Sequence, residues 1–319
     1  MAEPASPVPD PRDVDPSAVR RAFERAAAGY DEAAVLQREV ASRMLSRLDV
    51  VKLAPAAILD AGCGTGEGSL QLAARYPNAR VVGFDFAFAM TRAAGERVRR
   101  SRSLYQRLLA PIAGDSAAGP RFVCADLNAL PFSGVTFDLA WSNLALQWVN
   151  DLPRAFAEMR RCLKVGALFT FTTFGPDTLK ELRAAFARAD AHTHVSRFVD
   201  MHDLGDMLVA AGYADPVMDM EMLTLTYPGP AALMRELKTL GATNATRGRA
   251  RGLTGRRRFD RVVAQLETLA VGGRLPATFE IVYGHAWKVA PKKTADGLPV
   301  VQIQKRGEGR GTRDERGSR

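Results

Sequence analysis

Apolar positions along this 319-residue chain follow two different periods, and the change of period divides it. From Ser17 to Ala28, and again over 32–48, apolar residues recur at helical spacing; Val35, Leu36, Val40, Met44, Leu45 and Leu48 share one face of the second segment. After Pro55 short apolar runs take over, at 56–62 (AAILDAG), 79–85 (ARVVGFD), 121–127 (RFVCADL), 137–146 (FDLAWSNLAL) and 167–175 (ALFTFTTFG). Helical patterns over about 66–75, 87–100 and 152–163 separate several of them. Short apolar strands alternating with helices predict parallel pairing with both sheet faces covered. Asp151, with Pro153 just behind it, marks the start of the 152–163 helix.

Two later β-rich runs, 215–227 and 278–288, are expected to close the sheet as an edge pair, with helices at 229–241 and 256–270 between them. The expected fold is therefore α/β: a Rossmann-like, mostly parallel seven-stranded sheet with helices on both faces. One domain spans 17–290, with cap segments at about 17–50, 190–212 and 229–275. Residues 1–16 and 291–319 are expected to be disordered, and 101–120, polar with Gly and Pro, to form a surface loop.

Composition changes this picture little. An apolar content of 47% suffices for a full core. Cys63, Cys124 and Cys162 are scattered and form no CxxC pair, which argues for a reducing compartment. The acidic, proline-rich start lacks the basic and apolar regions of a signal peptide, and no run approaches the roughly 20 apolar residues of a membrane span. A cytoplasmic protein is expected. Part of the net charge of +9 lies in the Gly- and Arg-rich tail.

The most informative stretch is Asp60-Ala61-Gly62-Cys63-Gly64-Thr65-Gly66, in which a strand ends on a carboxylate and enters a glycine-rich turn before a helix. A dinucleotide fingerprint would need a third glycine at position 67 or 69, where Glu67 and Ser69 stand. The spacing D-x-G-x-G-x-G, with an acid at the strand end, suits a cation. S-adenosylmethionine carries an ammonium and a sulfonium but no pyrophosphate. Asp85, ending the second strand, is placed to accept hydrogen bonds from ribose hydroxyls, and Asp126 with the Leu127 backbone to read the adenine edge. Three acids at three successive strand ends face the crevice where open α/β sheets bind ligands.

These features resemble the class I methyltransferases, and further segments narrow the likeness. DFAFAM (85–90), WSNLALQWVNDLPRAF (141–156), FGPDTLKELRAAF (174–186), RFVDMHDLGDMLVAAG (197–212), LMRELKTLGATNATRGRARGLTG (233–255) and LPATFEIVYGHAWK (275–288) are similar to the malonyl-acyl-carrier-protein O-methyltransferases of the biotin pathway. The resemblance implies methylation of the free malonyl carboxylate on acyl-carrier protein, or on coenzyme A, an early step towards the pimeloyl chain. It also implies that Tyr30 closes over cofactor or substrate. The WVNDLP stretch resembles a respiratory-complex assembly factor as well. A SAM-binding assembly factor, or a methyltransferase for another small acid or a quinone precursor, therefore stays open as an alternative.

Carboxylate methylation needs no general base, because the acceptor is already ionised at pH 7. His192, His194, His202 and His285 show no metal spacing and no partner carboxylate; the first two read as surface residues, and His202 as the start of a helix. Ser142-Asn143-Leu144-Ala145 is not the (D/N)PPY loop of adenine methyltransferases, and no Pro-Cys nucleophile is present. Trp141, Asn143, Gln147 and Trp148 are expected to line the pocket. Arg197, between apolar neighbours, is the favoured anchor for the malonyl carboxylate, with Tyr30 and Gln147 as the other candidates. The run from Arg247 to Arg258 holds six arginines, Arg256, Arg257 and Arg258 among them, and no acid. With little aromatic interleaving it suits an acidic carrier protein better than nucleic acid.

Overall fold

The computed structural model describes residues 10, 13–101, 119–250, 252 and 255–290. Helices α1 (Pro16–Ala26), α2 (Tyr30–Ala33) and α3 (Val35–Arg47) come first. Strand β1 (Ala57–Ala61) leads into α4 (Glu67–Arg75), and β2 (Arg80–Asp85) into α5 (Phe88–Ser101). Then follow β3 (Arg121–Cys124), β4 (Phe137–Asn143), α6 (Leu152–Cys162) and β5 (Leu163–Phe174). Helices α7 (Lys180–Ala187) and α8 (Met201–Ala210) precede β6 (Tyr213–Tyr227), α9 (Pro230–Thr239), α10 (Arg256–Glu267) and β7 (Leu275–Lys288).

The seven strands form one sheet in the order β3-β2-β1-β4-β5-β7-β6. The first five run parallel, and β7 pairs antiparallel with both β5 and β6. Every residue of β1 is buried, as expected of a central strand covered on both sides. Along β1 and β4 the pleat sends alternate residues to opposite cores. Ile58 and Leu139 join Leu72, Val81 and Ile281 on one face; Leu59 and Ala140 join Phe84, Phe156 and Phe169 on the other. Edge strand β6 alternates buried or half-buried with exposed residues along most of its length. Its register slips between Ala214 and Val217, where Pro216 follows Asp215 at φ 48°, which puts the proline at a bulge on an edge.

Several expected boundaries move. The single helix expected over 32–48 is broken at Ala34 (ψ 42°). Strand β3 stops at Cys124, because Asp126 turns the chain: its Oδ1 accepts the Asn128 amide at 2.8 Å. Helix α7 was not anticipated from its periodicity; it starts after Leu179, whose φ of 55° breaks the pattern. Most of the loop expected at 101–120, the N-terminal residues 1–9, and the tail from 291 lie outside the described residues. No described helix is long and apolar enough to cross a membrane.

Candidate cofactor site

The loop after β1 is shaped by three left-handed glycines, Gly62, Gly64 and Gly66, at φ 77°, 52° and 83°. They serve different ends. A Cβ on Gly62 would lie 2.3 Å from Ala145 Cβ, and one on Gly66 2.8 Å from Ala94 Cβ, so these two glycines permit close packing. A Cβ on Gly64 would meet only Tyr30 Cε1 at 4.0 Å, because Gly64 faces open space. Gly66 lines neither cavity beside the loop and instead caps the start of α4.

Those cavities flank Gly62 and Gly64. The larger, about 210 Å³, is bounded by Asp85, Asp126, Leu127, Asn143, Trp148 and Tyr30. The smaller, about 70 Å³, is bounded by Asp60, Gln37, Trp141, Thr65, Asn143 and again Tyr30. Asp85 Oδ2 accepts the Gly64 amide at 3.1 Å and Oδ1 the Ala87 amide at 2.9 Å; each oxygen keeps a lone pair for a further donor. Burial pushes the Asp85 carboxyl up to about 6, against the bonds from Ala87 and Gly64, with Glu24 adding to the rise. Asp60 is pushed up to about 7, chiefly by burial; the Ser69 hydroxyl bonded to its Oδ2 opposes the shift, and Asp85 adds to it. Two buried acids beside small cavities fit a ligand that brings cationic and hydroxyl donors.

Two orphaned atoms point the same way. Trp141 Nε1 and Gln37 Oε1 are buried without a hydrogen-bond partner, and both residues line the smaller cavity. One lacks an acceptor and the other a donor, and a zwitterionic amino-acid end supplies both. The residues therefore fit S-adenosylmethionine. Among the described residues no group of three or more His, Cys, Asp or Glu could hold a metal.

Helices α1 and α2 reach this site through polar latches. Thr65 Oγ1 donates to Asp31 Oδ1 at 2.6 Å; Arg97 pairs with the same carboxylate and donates Nε to Thr65 O at 2.9 Å. Tyr30, the residue before Asp31, is thereby held over Gly64. Burial, then Asp85 and Asp31, keep its phenol well above the usual range. Glu24 caps α5, taking the amides of Phe88 and Ala89 at 2.7 and 2.9 Å. Asn150 clamps Val14 on both sides, accepting from its amide at 3.0 Å and donating to its carbonyl at 2.9 Å. Within the WVNDLP stretch, then, Trp148 is wall, Asn150 is clamp, and Asp151 caps α6 through the Arg154 amide.

Some expected site residues lie elsewhere. Arg197 and Gln147 share a neighbouring cavity of about 260 Å³, and neither lines the two beside the glycine loop. The Gln147 amide is turned back onto its own loop, donating to Leu144 O at 2.6 Å. Arg258 is no free docking charge: its guanidinium pairs with Asp190 at 3.3 Å, whereas Arg256 and Arg257 are exposed. The histidines also need correcting. His194 is largely buried, stacks on Phe186 at 4.0 Å and bonds Asp190 at 2.7 Å; His202 bonds Asp200 at 2.8 Å and does open α8. Both have partner carboxylates after all, as parts of packing and capping.

Residues missed from sequence include Gln37, Phe23, Phe86 and Leu144. Leu144 takes a left-handed φ of 49°, held by Thr172, whose carbonyl and hydroxyl accept its amide at 3.1 and 3.0 Å. A non-glycine in that region at a cavity wall marks a built site.

Comparison with known proteins agrees with this geometry. Residues 59–171 match the family model described as a methyltransferase domain. The fold superposes on YcgJ from a Bacillus species, with a TM-score of 0.54 at 17% identity over 78% of this chain and 99% of that one. It also superposes on Haemonchus contortus phosphoethanolamine N-methyltransferase 2 in complex with S-adenosylmethionine, with a TM-score of 0.51 at 16% identity over 84% of this chain and 57% of that one. Fold and site together define a class I methyltransferase with S-adenosylmethionine as its cofactor.

Relatives named malonyl-acyl-carrier-protein O-methyltransferase, from Nitrosospira multiformis and Gallionella capsiferriformans, are 53% and 51% identical. The alignments cover 88% and 91% of this chain and 91% and 96% of theirs. The chain belongs to the malonyl-acyl-carrier-protein O-methyltransferase family.

Proposed function

We propose that this protein methylates the free carboxylate of malonyl-acyl-carrier protein, giving the methyl ester that begins a pimeloyl chain. The observation that carries the reading is the length of the likeness. Identity of 53% extends across 91% of the Nitrosospira relative, far beyond residues 59–171, so it includes segments outside the methyltransferase domain itself.

The cofactor supplies an electrophilic methyl group, and this chain's residues bind and orient the partners. Asp85 accepts the ribose hydroxyls. Asp126 and the Leu127 backbone meet the adenine edge. Asp60, Gly62 and Gly64 hold the methionine end, and Asn143, whose Nδ2 donates to Gln37 O at 3.0 Å, fixes the wall between cavity and cap. Tyr30 shields the reacting centre from water. The acceptor carboxylate is ionised at neutral pH and attacks without a base, so positioning supplies the rate. Arg256 and Arg257 form the exposed basic rim that favours an acidic carrier protein over coenzyme A. The test is complementation: the gene restores biotin-independent growth to a strain deleted for this methyltransferase, and a variant carrying Asp85→Ala does not. Failure of the wild type, expressed and folded, would overturn the assignment.

A further inference from the structure

A further cavity of about 80 Å³ lies behind Trp148, beside the end of β5. It touches the cofactor site at two residues: Trp148 lines it together with the larger cofactor cavity, and Gln37 together with the smaller. Trp148 is braced edge-on by Phe23 at 5.3 Å, so the partition is a fixed aromatic wall. Ala242 and the exposed Thr243, a few residues before the basic run, also line this narrow cavity.

The walls are mainly apolar, with Leu36, Phe174, Leu182, Leu237 and Phe279 among them. Most of the cavity's polar groups are already engaged. Glu236 accepts from Tyr227 Oη at 2.7 Å, Asn244 Nδ2 donates to Thr193 O at 2.6 Å, and Thr178 Oγ1 donates to Glu280 O at 3.1 Å. His194 is held by Asp190. Gln37 differs: its Oε1 is buried without a partner at the junction with the cofactor site. Such an atom is costly to bury unless a ligand or water meets it.

We infer that the acceptor's acyl arm reaches the cofactor through this channel, with Gln37 as the residue that positions its carboxylate. The inference rests on the proposed malonyl-carrier substrate. A narrow apolar passage with engaged walls suits an extended, uncharged thioester arm. Gln37 lines both this cavity and the smaller cofactor cavity, and its carboxamide can donate to the carboxylate at the arm's tip. Gln37 has both kinds of polar atom: Nε2 donates to the acceptor carboxylate, and Oε1 is left for the cofactor ammonium on the side of the smaller cavity. Arg197 lines neither this cavity nor the two cofactor cavities; it borders an adjoining one of about 480 Å³ that shares His194, Val195, Ser196 and Phe198 with this one.

The experiment measures binding without turnover. Wild type, Ala242→Phe and Gln37→Leu are loaded with S-adenosylhomocysteine and titrated calorimetrically with a malonyl-pantetheine analogue bearing an amide in place of the thioester. The wild type is also assayed on malonyl-acyl-carrier protein. Ala242→Phe, which fills the channel, and Gln37→Leu, which keeps the size but loses the amide, are each expected to weaken the analogue about tenfold or more. S-adenosylhomocysteine affinity should stay within about twofold for Ala242→Phe. Ser196→Phe, which fills the channel from another wall, replaces Ala242→Phe should that variant fail to bind S-adenosylhomocysteine. Wild-type affinity for the analogue in the filled variant and in Gln37→Leu, with the wild type active on malonyl-acyl-carrier protein, would overturn the channel and leave the function standing. A wild type that neither methylates the carrier nor binds the analogue would remove the substrate, and the channel with it.

Discussion

Gly62 and Gly64 sit two residues apart in one loop, yet their surroundings predict opposite consequences for the same substitution. In Gly62→Ala the new methyl must displace Ala145, whose Cβ would be 2.3 Å away, so the cost falls on folding. In Gly64→Ala the methyl enters open space beside Tyr30, so the greater loss falls on cofactor affinity. Thermal unfolding and calorimetry with S-adenosylmethionine separate the two; equal effects on stability would contradict the assignment. Asp85→Ala should weaken the cofactor by about 1–3 kcal/mol in the same calorimeter, because two hydroxyls lose a charged acceptor. The buried acids also predict a pH dependence. The Asp60 carboxyl stands near 7 in the folded chain against an ordinary 3.8, and Asp85 near 6. Between about pH 4 and 7 these two carboxyls therefore hold more protons in the ligand-free fold than in the unfolded chain, and their contribution to stability falls as pH rises through that window. Asp60→Asn should flatten that fall in denaturant titrations at pH 5 and 8; an unchanged slope would show that Asp60 is not its source.

Among the elements, legibility followed sequence distance. Strand β1, its glycine loop and α4 were readable because an apolar run, a carboxylate and glycines within a few residues state their own geometry. The parallel strands were readable as short apolar runs between helices, and β6 and β7 as β-rich runs that close the sheet, but their antiparallel pairing was not. The Asn150 clamp was not, because its partner Val14 lies 136 positions away. Nor was the displacement of Arg197 and Gln147 into a neighbouring cavity, since spacing does not say which way a loop side chain turns. Gln37 carried no signal in a helix whose apolar stripe drew attention elsewhere; only its unpartnered oxygen reveals it. Asn150→Ala tests how much the clamp matters. Without it Val14 loses both of its side-chain-held backbone bonds, and α1, which brings Phe23 and Glu24 to the site, loses one of its tethers, the bonds of Asp13 and Asp15 to residues 245–249 remaining. A loss of about 1–3 kcal/mol in stability is expected, measured by chemical denaturation, together with weaker cofactor binding. A neutral substitution would mean that the packing of α1 and those remaining bonds suffice to hold it.

For the whole molecule, the proposed substrate is borne on a protein and requires a docking surface. Of the three consecutive arginines only Arg256 and Arg257 are exposed, so the surface prediction belongs to them, and Arg258 is better left with Asp190. Changing Arg256 and Arg257 together to Gln should raise KM for malonyl-acyl-carrier protein about threefold or more at low salt, leaving kcat near the wild-type value. Added salt should narrow that gap, since steering is screened over roughly 8–10 Å near physiological ionic strength. An unchanged KM would make the run a solvated face. The account as a whole depends on one chemical outcome. Purified protein incubated with S-adenosylmethionine and malonyl-acyl-carrier protein is followed by intact-protein mass spectrometry, with acetyl-acyl-carrier protein in parallel. The account predicts a single methyl group gained on the malonyl moiety, removed with the acyl chain on thioester cleavage, and none on the acetyl carrier. A methyl group retained by the carrier polypeptide after that cleavage, or equal methylation of the acetyl carrier, would contradict it.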